Sequence, residues 1–170
     1  MNVPVHLAAL PVFAGLLLLA AAALHDVAAR TVPNAMSAMI AVAGFVARLM
    51  DQRLALGLGV CVAVFLAAAI CWRRGWMGGG DVKLLAAVAL LVPPSSVGSL
   101  LLDVALAGGV LAIAYLLLRA LVPSPPRRRR RPRSFPARVL RAEQWRIHRN
   151  CPLPYASAIA AGAFICLLIG

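Results

Sequence analysis

The chain has 170 residues, 63% hydrophobic and 13% charged, with five acidic residues and a formal net charge of +12. Soluble domains are roughly 45–50% apolar and about 25% charged, so an ordinary soluble domain is excluded. The apolar residues come in long runs without amphipathic alternation, which predicts an all-α, polytopic membrane protein. The positive charge does not point to nucleic acid. Its densest part, residues 127–149 from Arg127 to Arg149, lies between two apolar runs, is poor in aromatics and holds no nucleic-acid motif. Beside a membrane such a loop is an anchor to anionic headgroups.

The first span is expected at about residues 7–25. No Lys or Arg precedes Arg30, so the run lacks the basic start of a signal peptide. It ends at His25 and Asp26, and Pro33 and Asn34 precede a second span at 35–50; proline suits a helix start because its missing N–H would have no intrahelical partner there. Asp51, Gln52 and Arg53 form a polar turn before a third span at 54–72, which Arg73 and Arg74 close. After the glycine run Gly78, Gly79, Gly80, the fourth apolar run covers only residues 82–92. A crossing needs about 20 residues, so the span is counted back from Pro93 to cover 76–92, which brings Asp81 to membrane depth. The fifth span is expected at 97–121. Residues 123–150 form a basic loop, rich in Pro and Arg, that cannot pack a core. Within it, residues 141–150 predict a short interfacial helix with Trp145 and Ile147 against lipid. The sixth span, 153–169, opens with Pro154, Tyr155 and a set of small residues that permit close helix approach. Residues 1–170 thus read as one membrane domain of six transmembrane helices.

Loop charge orients it. One side holds Arg30, Arg73, Arg74, Lys83, Arg119 and the 127–149 cluster; the other holds only Arg48 and Arg53. The first set contains 15 of the 17 positive residues, so it faces the cytoplasm and both termini lie on the non-cytoplasmic side. The same assignment brings Asp26 and Asp81 to the cytoplasmic side, although no chemistry entered it.

Ionisable residues at membrane depth cost about 2.5–3.5 kcal/mol or more and mark functional sites by default. Two carboxyl groups that meet cannot both ionise cheaply: one keeps a proton while the other serves as base. Such a pair activates water against a peptide bond without a metal or a cofactor. Asp81 opens a helix and has Lys83 nearby; Asp26 closes one, with Arg30 four residues on if the helix continues. These effects oppose each other and leave the roles open. Gly78, Gly79 and Gly80 can adopt conformations closed to other residues and let a backbone pass close to Asp81, although a bare glycine run is more often a flexible loop. Lys83 either tunes the site or snorkels to headgroups. Asp51, Asp103 and Glu143 read as structural. The four cysteines, Cys61, Cys71, Cys151 and Cys166, form no CxxC pair, and His25, His148 and Cys151 lack a recognisable ligand spacing, so no metal site is expected.

These residues resemble the type IV prepilin peptidase family, the GxGD class of membrane aspartic proteases. The family pattern is an aspartate shortly before Pro-Asn, then GxGD leading into a helix. Here Asp26 precedes Pro33 and Asn34, and Gly78, Gly79, Gly80 and Asp81 supply GxGD, followed by Val82, Lys83 and Leu84. Pro154 and Tyr155 resemble the family's last segment. The resemblance implies that Asp26 and Asp81 are the catalytic pair, with Pro33, Asn34, Gly78, Gly80, Lys83, Pro154 and Tyr155 shaping the site. It implies cleavage of the leader of a prepilin or pseudopilin at the cytoplasmic face of the bacterial inner membrane, without a cofactor. Larger relatives carry paired CxxC motifs associated with N-methylation. These are missing here, so the resemblance is to the compact peptidases of tight-adherence (Flp-type) pilus systems. The Arg-rich loop departs from the pattern and is expected to attract acidic residues near the substrate's cleavage site. Two other classes compete. A carboxylate-dependent, proton-coupled transporter predicts polar residues lining several spans, and spans two, three and six have almost none. A noncatalytic subunit of a pilus or secretion assembly predicts that Asp26 and Asp81 are replaceable.

Overall fold

The computed structural model describes residues 5–121 and 153–169. The basic cluster at 127–149, the expected interfacial helix at 141–150, His148 and Cys151 lie outside the described residues. The described residues form α1 (Val5–Ala29), α2 (Asn34–Met50), α3 (Leu54–Arg73), α4 (Gly79–Leu91), a 3-10 turn (Pro94–Ser96), α5 (Val97–Leu121) and α6 (Tyr155–Ile169).

Local sequence explains the breaks. Pro33, at φ −59 and ψ 135, precedes α2, and its carbonyl accepts the Met36 N–H at 3.0 Å. Between α2 and α3 the chain turns tightly, with Gln52 in the left-handed region at φ 55. Val92 turns extended, at ψ 145, and ends α4; the two prolines that follow cannot continue the helix, and a residue before proline is steered away from helical geometry.

Helix α4 is the core. Val82 and every residue from Leu84 to Leu91 are buried, and α2, α3 and α6 pack around it. A helix that is apolar all round belongs inside a bundle. The outer helices turn apolar side chains outward: Leu24, Val42, Leu66, Leu106 and Leu116 are each more than half exposed. An apolar exterior is what a lipid-facing protein requires. Three helices are long and apolar enough to cross a membrane, namely Ala9–Ala29, Leu54–Arg73 and Pro94–Leu121, while Asn34–Met50 and Tyr155–Leu168 are shorter apolar helices. At 13 residues α4 is shorter than the expected 76–92, and Trp76 and Met77 stay outside the helix. Irregular backbone at such depth is tolerated where protein or a cavity surrounds it.

Small residues set the closest crossings. A Cβ on Gly44 of α2 would lie 2.8 Å from the Leu91 backbone nitrogen, and one on Gly162 of α6 would lie 2.6 Å from that of Val104 in α5. Ala156, Ala158 and Ala160 of α6 are buried, as its run of small residues predicts. The packing gathers the end of α1 and the starts of α2, α4 and α6 at one end of the bundle. The α2–α3 turn lies at the other end.

Candidate functional site

Asp26 lies in the last turn of α1, inside the helix, and is 6% exposed. Its Oδ2 accepts the backbone N–H of Ala156 at 3.3 Å. The first N–H groups of a helix have no intrahelical acceptor and carry the positive end of its dipole. Ala156 is in the first turn of α6, directly after the buried Pro154, so the carboxyl of the first helix meets the N-terminus of the last.

Asp81 is the third residue of α4, after the N-cap Gly78. Its carboxyl folds back over the N-cap residue, as in a capping box. A Cβ on Gly78 would lie 2.9 Å from Asp81 Oδ2, so only glycine leaves the carboxyl room to fold back. This corrects the expected use of the glycine run. Gly78 has an ordinary φ of −73, Gly79 and Gly80 are helical, and Gly75 is the only described glycine with positive φ. Close approach, rather than unusual backbone geometry, is what Gly78 requires; a Cβ on Gly79 or Gly80 would make only ordinary contacts, at 3.4 and 3.6 Å.

The two carboxyls are within electrostatic reach of each other. Both line one cavity of about 630 Å³, together with Arg30, Asn34 and the three glycines. Residues 31 and 32 supply another wall, and Leu153 closes the side toward α6. Tyr155 is also within electrostatic reach of Asp81, and its ring packs where a Cβ on Gly108 would approach it to 3.2 Å.

Polar ties hold the segment between α1 and α2. The helix ends at Ala29, and Arg30 turns into the left-handed region at φ 56, so the condition for a helical Asp26–Arg30 pair is not met. Arg30 N–H still closes on the Asp26 carbonyl at 2.7 Å. Its guanidinium donates to the Tyr115 hydroxyl of α5 at 3.1 Å and lies 5.7 Å from the ring centroid, within the usual cation–π range. Lys83 Nζ donates to Asn34 Oδ1 at 3.0 Å, a third outcome beside tuning and snorkelling. His25 Nδ1 donates to the Thr31 carbonyl at 2.8 Å. Pro33 stands between Val32, which lines the cavity, and Asn34.

The sequence profile of the type IV leader peptidase family matches residues 13–117, a stretch that contains both aspartates. The chain belongs to the type IV leader peptidase family. No curated protein and no solved structure matches it. The chain is therefore a peptidase by family and, from its apolar helices, a membrane protein. Pro154, Tyr155 and Ala156 fall beyond the matched stretch. Sequence reasoning missed Ala156, because a backbone donor has no letter of its own. It also missed Tyr115, although a lone tyrosine near the basic end of an apolar span is a readable sign of a polar contact.

Proposed function

We propose that the protein is an aspartic endopeptidase in which Asp26 and Asp81 together activate water. One observation carries this reading: two carboxyls from distant parts of the chain line one cavity, Asp26 held by the Ala156 N–H and Asp81 folded back over the N-cap Gly78. Two carboxyls that share a cavity cannot both ionise cheaply, so the pair is best treated as one unit sharing a proton. The ionised carboxyl takes a proton from water, and the water oxygen attacks the scissile carbonyl carbon. The protonated carboxyl donates to the carbonyl oxygen. When the tetrahedral intermediate collapses, the C–N bond breaks and the amine leaves with the proton the base had taken. Gly78 gives Asp81 its room, Lys83 and Asn34 tie α4 to α2, and Pro154 and Tyr155 open the helix that supports Asp26.

In this reading the chain crosses the bacterial inner membrane six times, with both termini outside and the cavity on the cytoplasmic side, as loop charge favours. Helix α4 has no need to span lipid alone, since other helices surround it. The substrate is a prepilin or pseudopilin whose leader is cut at that face, and the basic residues at 127–149 attract anionic headgroups and acidic substrate residues. Co-expression with a prepilin, followed by gel shift, tests the reading. The wild type removes the leader, and Asp26→Asn and Asp81→Asn do not. Cleavage by both variants ends the aspartic proposal.

A further inference from the structure

Residues 31–33 run between α1 and α2 without regular structure and, through Thr31 and Val32, line the cavity that holds both aspartates. Pro33 is extended, at φ −59 and ψ 135, and a residue before proline, here Val32, is steered to extended geometry. Thr31 gives its carbonyl to His25. Val32, in contrast, makes no hydrogen bond through N–H or C=O among the described residues. A half-buried backbone unit with both polar groups unpaired calls for a partner. Flexibility does not account for it, because the segment is tied on both sides: Arg30 to Tyr115, His25 to Thr31, and Asn34 to Lys83. Gly78, Gly79 and Gly80 line the same cavity, and a Cβ added to Gly80 would make only ordinary contact with this segment, 3.6 Å from Val32 Cβ and 4.0 Å from the Val32 carbonyl oxygen. That wall has no side chains to fill the space between.

We infer that Val32 is the main-chain docking point for an extended substrate peptide, a proposal that rests on the peptidase reading above. In extended geometry the N–H and C=O of one residue point the same way and can exchange two hydrogen bonds with one residue of an antiparallel partner. Strand addition of this kind takes affinity from main-chain bonds and tolerates varied side chains. Pro33 has no N–H and the Thr31 carbonyl is taken, so the edge offers pairing at a single residue. A single pair sets register beside the two carboxyls while letting the product leave. The ligand class is a locally unfolded, extended peptide segment, recognised through its backbone beside the scissile bond.

The test compares Val32→Pro, which deletes the N–H in a segment already suited to proline, with Val32→Ala, which keeps it. The substrate is a peptide spanning the leader junction of a prepilin that the wild type cuts. Loss of one hydrogen bond predicts a rise in KM of about tenfold for Val32→Pro with kcat nearly unchanged, and a clearly smaller rise in KM for Val32→Ala, which loses side-chain contact but keeps the N–H. Independently of any variant's folding, peptides N-methylated at one backbone position at a time are offered to the wild-type enzyme. One position near the junction shows a comparable KM increase, and methylation elsewhere is tolerated. Equal constants for the two variants, or a flat N-methyl scan, overturn the proposal while leaving the dyad intact. A wild type that cuts no leader peptide removes the peptidase reading and this proposal with it.

Discussion

At one end of the bundle Asp51 meets Arg48 in an ion pair of 2.9 Å, with the arginine side chain only 3% exposed. At the other end Asp26 accepts the Ala156 N–H, Asp81 folds back over Gly78, and both line a cavity. The two arrangements treat the same functional group oppositely. A guanidinium neutralises a carboxylate, and the stem of Arg48 occupies space that Gly57 leaves open, where a Cβ would lie 2.8 Å from Arg48 Cγ. A backbone N–H orients a carboxyl without delivering a full charge, and it leaves further oxygen lone pairs for water. Distance from lipid alone does not separate the ends. The cavity beside Asp26 and Asp81 does.

Removing charge at each end sharpens the contrast. At the cavity, Asp26→Asn or Asp81→Asn should lower leader cleavage by about 10³-fold or more, since general acid–base catalysis of this kind contributes about 10²–10⁴-fold. Detergent-solubilised protein should keep its melting temperature within a few degrees. Gly78→Ala comes next. It brings a methyl to 2.9 Å from Asp81 Oδ2 and should cut kcat by about 10–100-fold through misplacement of the carboxyl. Gly59 has nothing within 4 Å of an added Cβ, so Gly59→Ala should leave kcat alone and add about 0.5–1 kcal/mol of stability. Equal behaviour of the two alanine variants would remove the argument from close approach.

The opposite end should answer in stability. Asp51→Asn leaves the buried Arg48 without its charge partner. Because Asp51 is 40% exposed, the cost is discounted from that of a fully buried pair to about 1–3 kcal/mol. Thermal unfolding should register the loss, while cleavage per folded molecule stays near wild type. A loss of catalysis without a loss of stability would break the division of labour between the ends.

Much of this plan was legible in the letters. The fifth span, read as 97–121, is the helix Val97–Leu121, and the turn at Asp51, Gln52 and Arg53 separates α2 from α3. Polar residues and prolines interrupt apolar runs in ways that can be counted. Asp26 and Asp81 could be paired because carboxyls are scarce in so apolar a chain. The central position of α4 was not legible: several helices are apolar on every face, so no stripe tells the core helix from its neighbours. Nor could the amide of Ala156 be read, since every residue but proline carries one and only the fold selects which meets a carboxyl. The role of Gly78 was misread for the same reason, as a neighbouring carboxyl rather than its own dihedral angles demands glycine.

The smallest expected effect lies at the exposed Lys83–Asn34 bond of 3.0 Å. It neither neutralises a carboxyl, as Arg48 does, nor touches the dyad, yet it joins the helix that carries Asp81 to the segment that follows Asp26. An exposed bond contributes little to folding, so Lys83→Met should barely alter the melting temperature. Its effect should be positional: a loss of about threefold in kcat, within the range of one modest hydrogen bond. Asn34→Ala should cost the same, and the double variant no more than either alone, because two groups that act only on each other have one interaction to lose. Additive losses would mean that Lys83 acts on the cavity through its charge. In that case raising the salt concentration should shrink the Lys83→Met effect and leave that of Asn34→Ala unchanged.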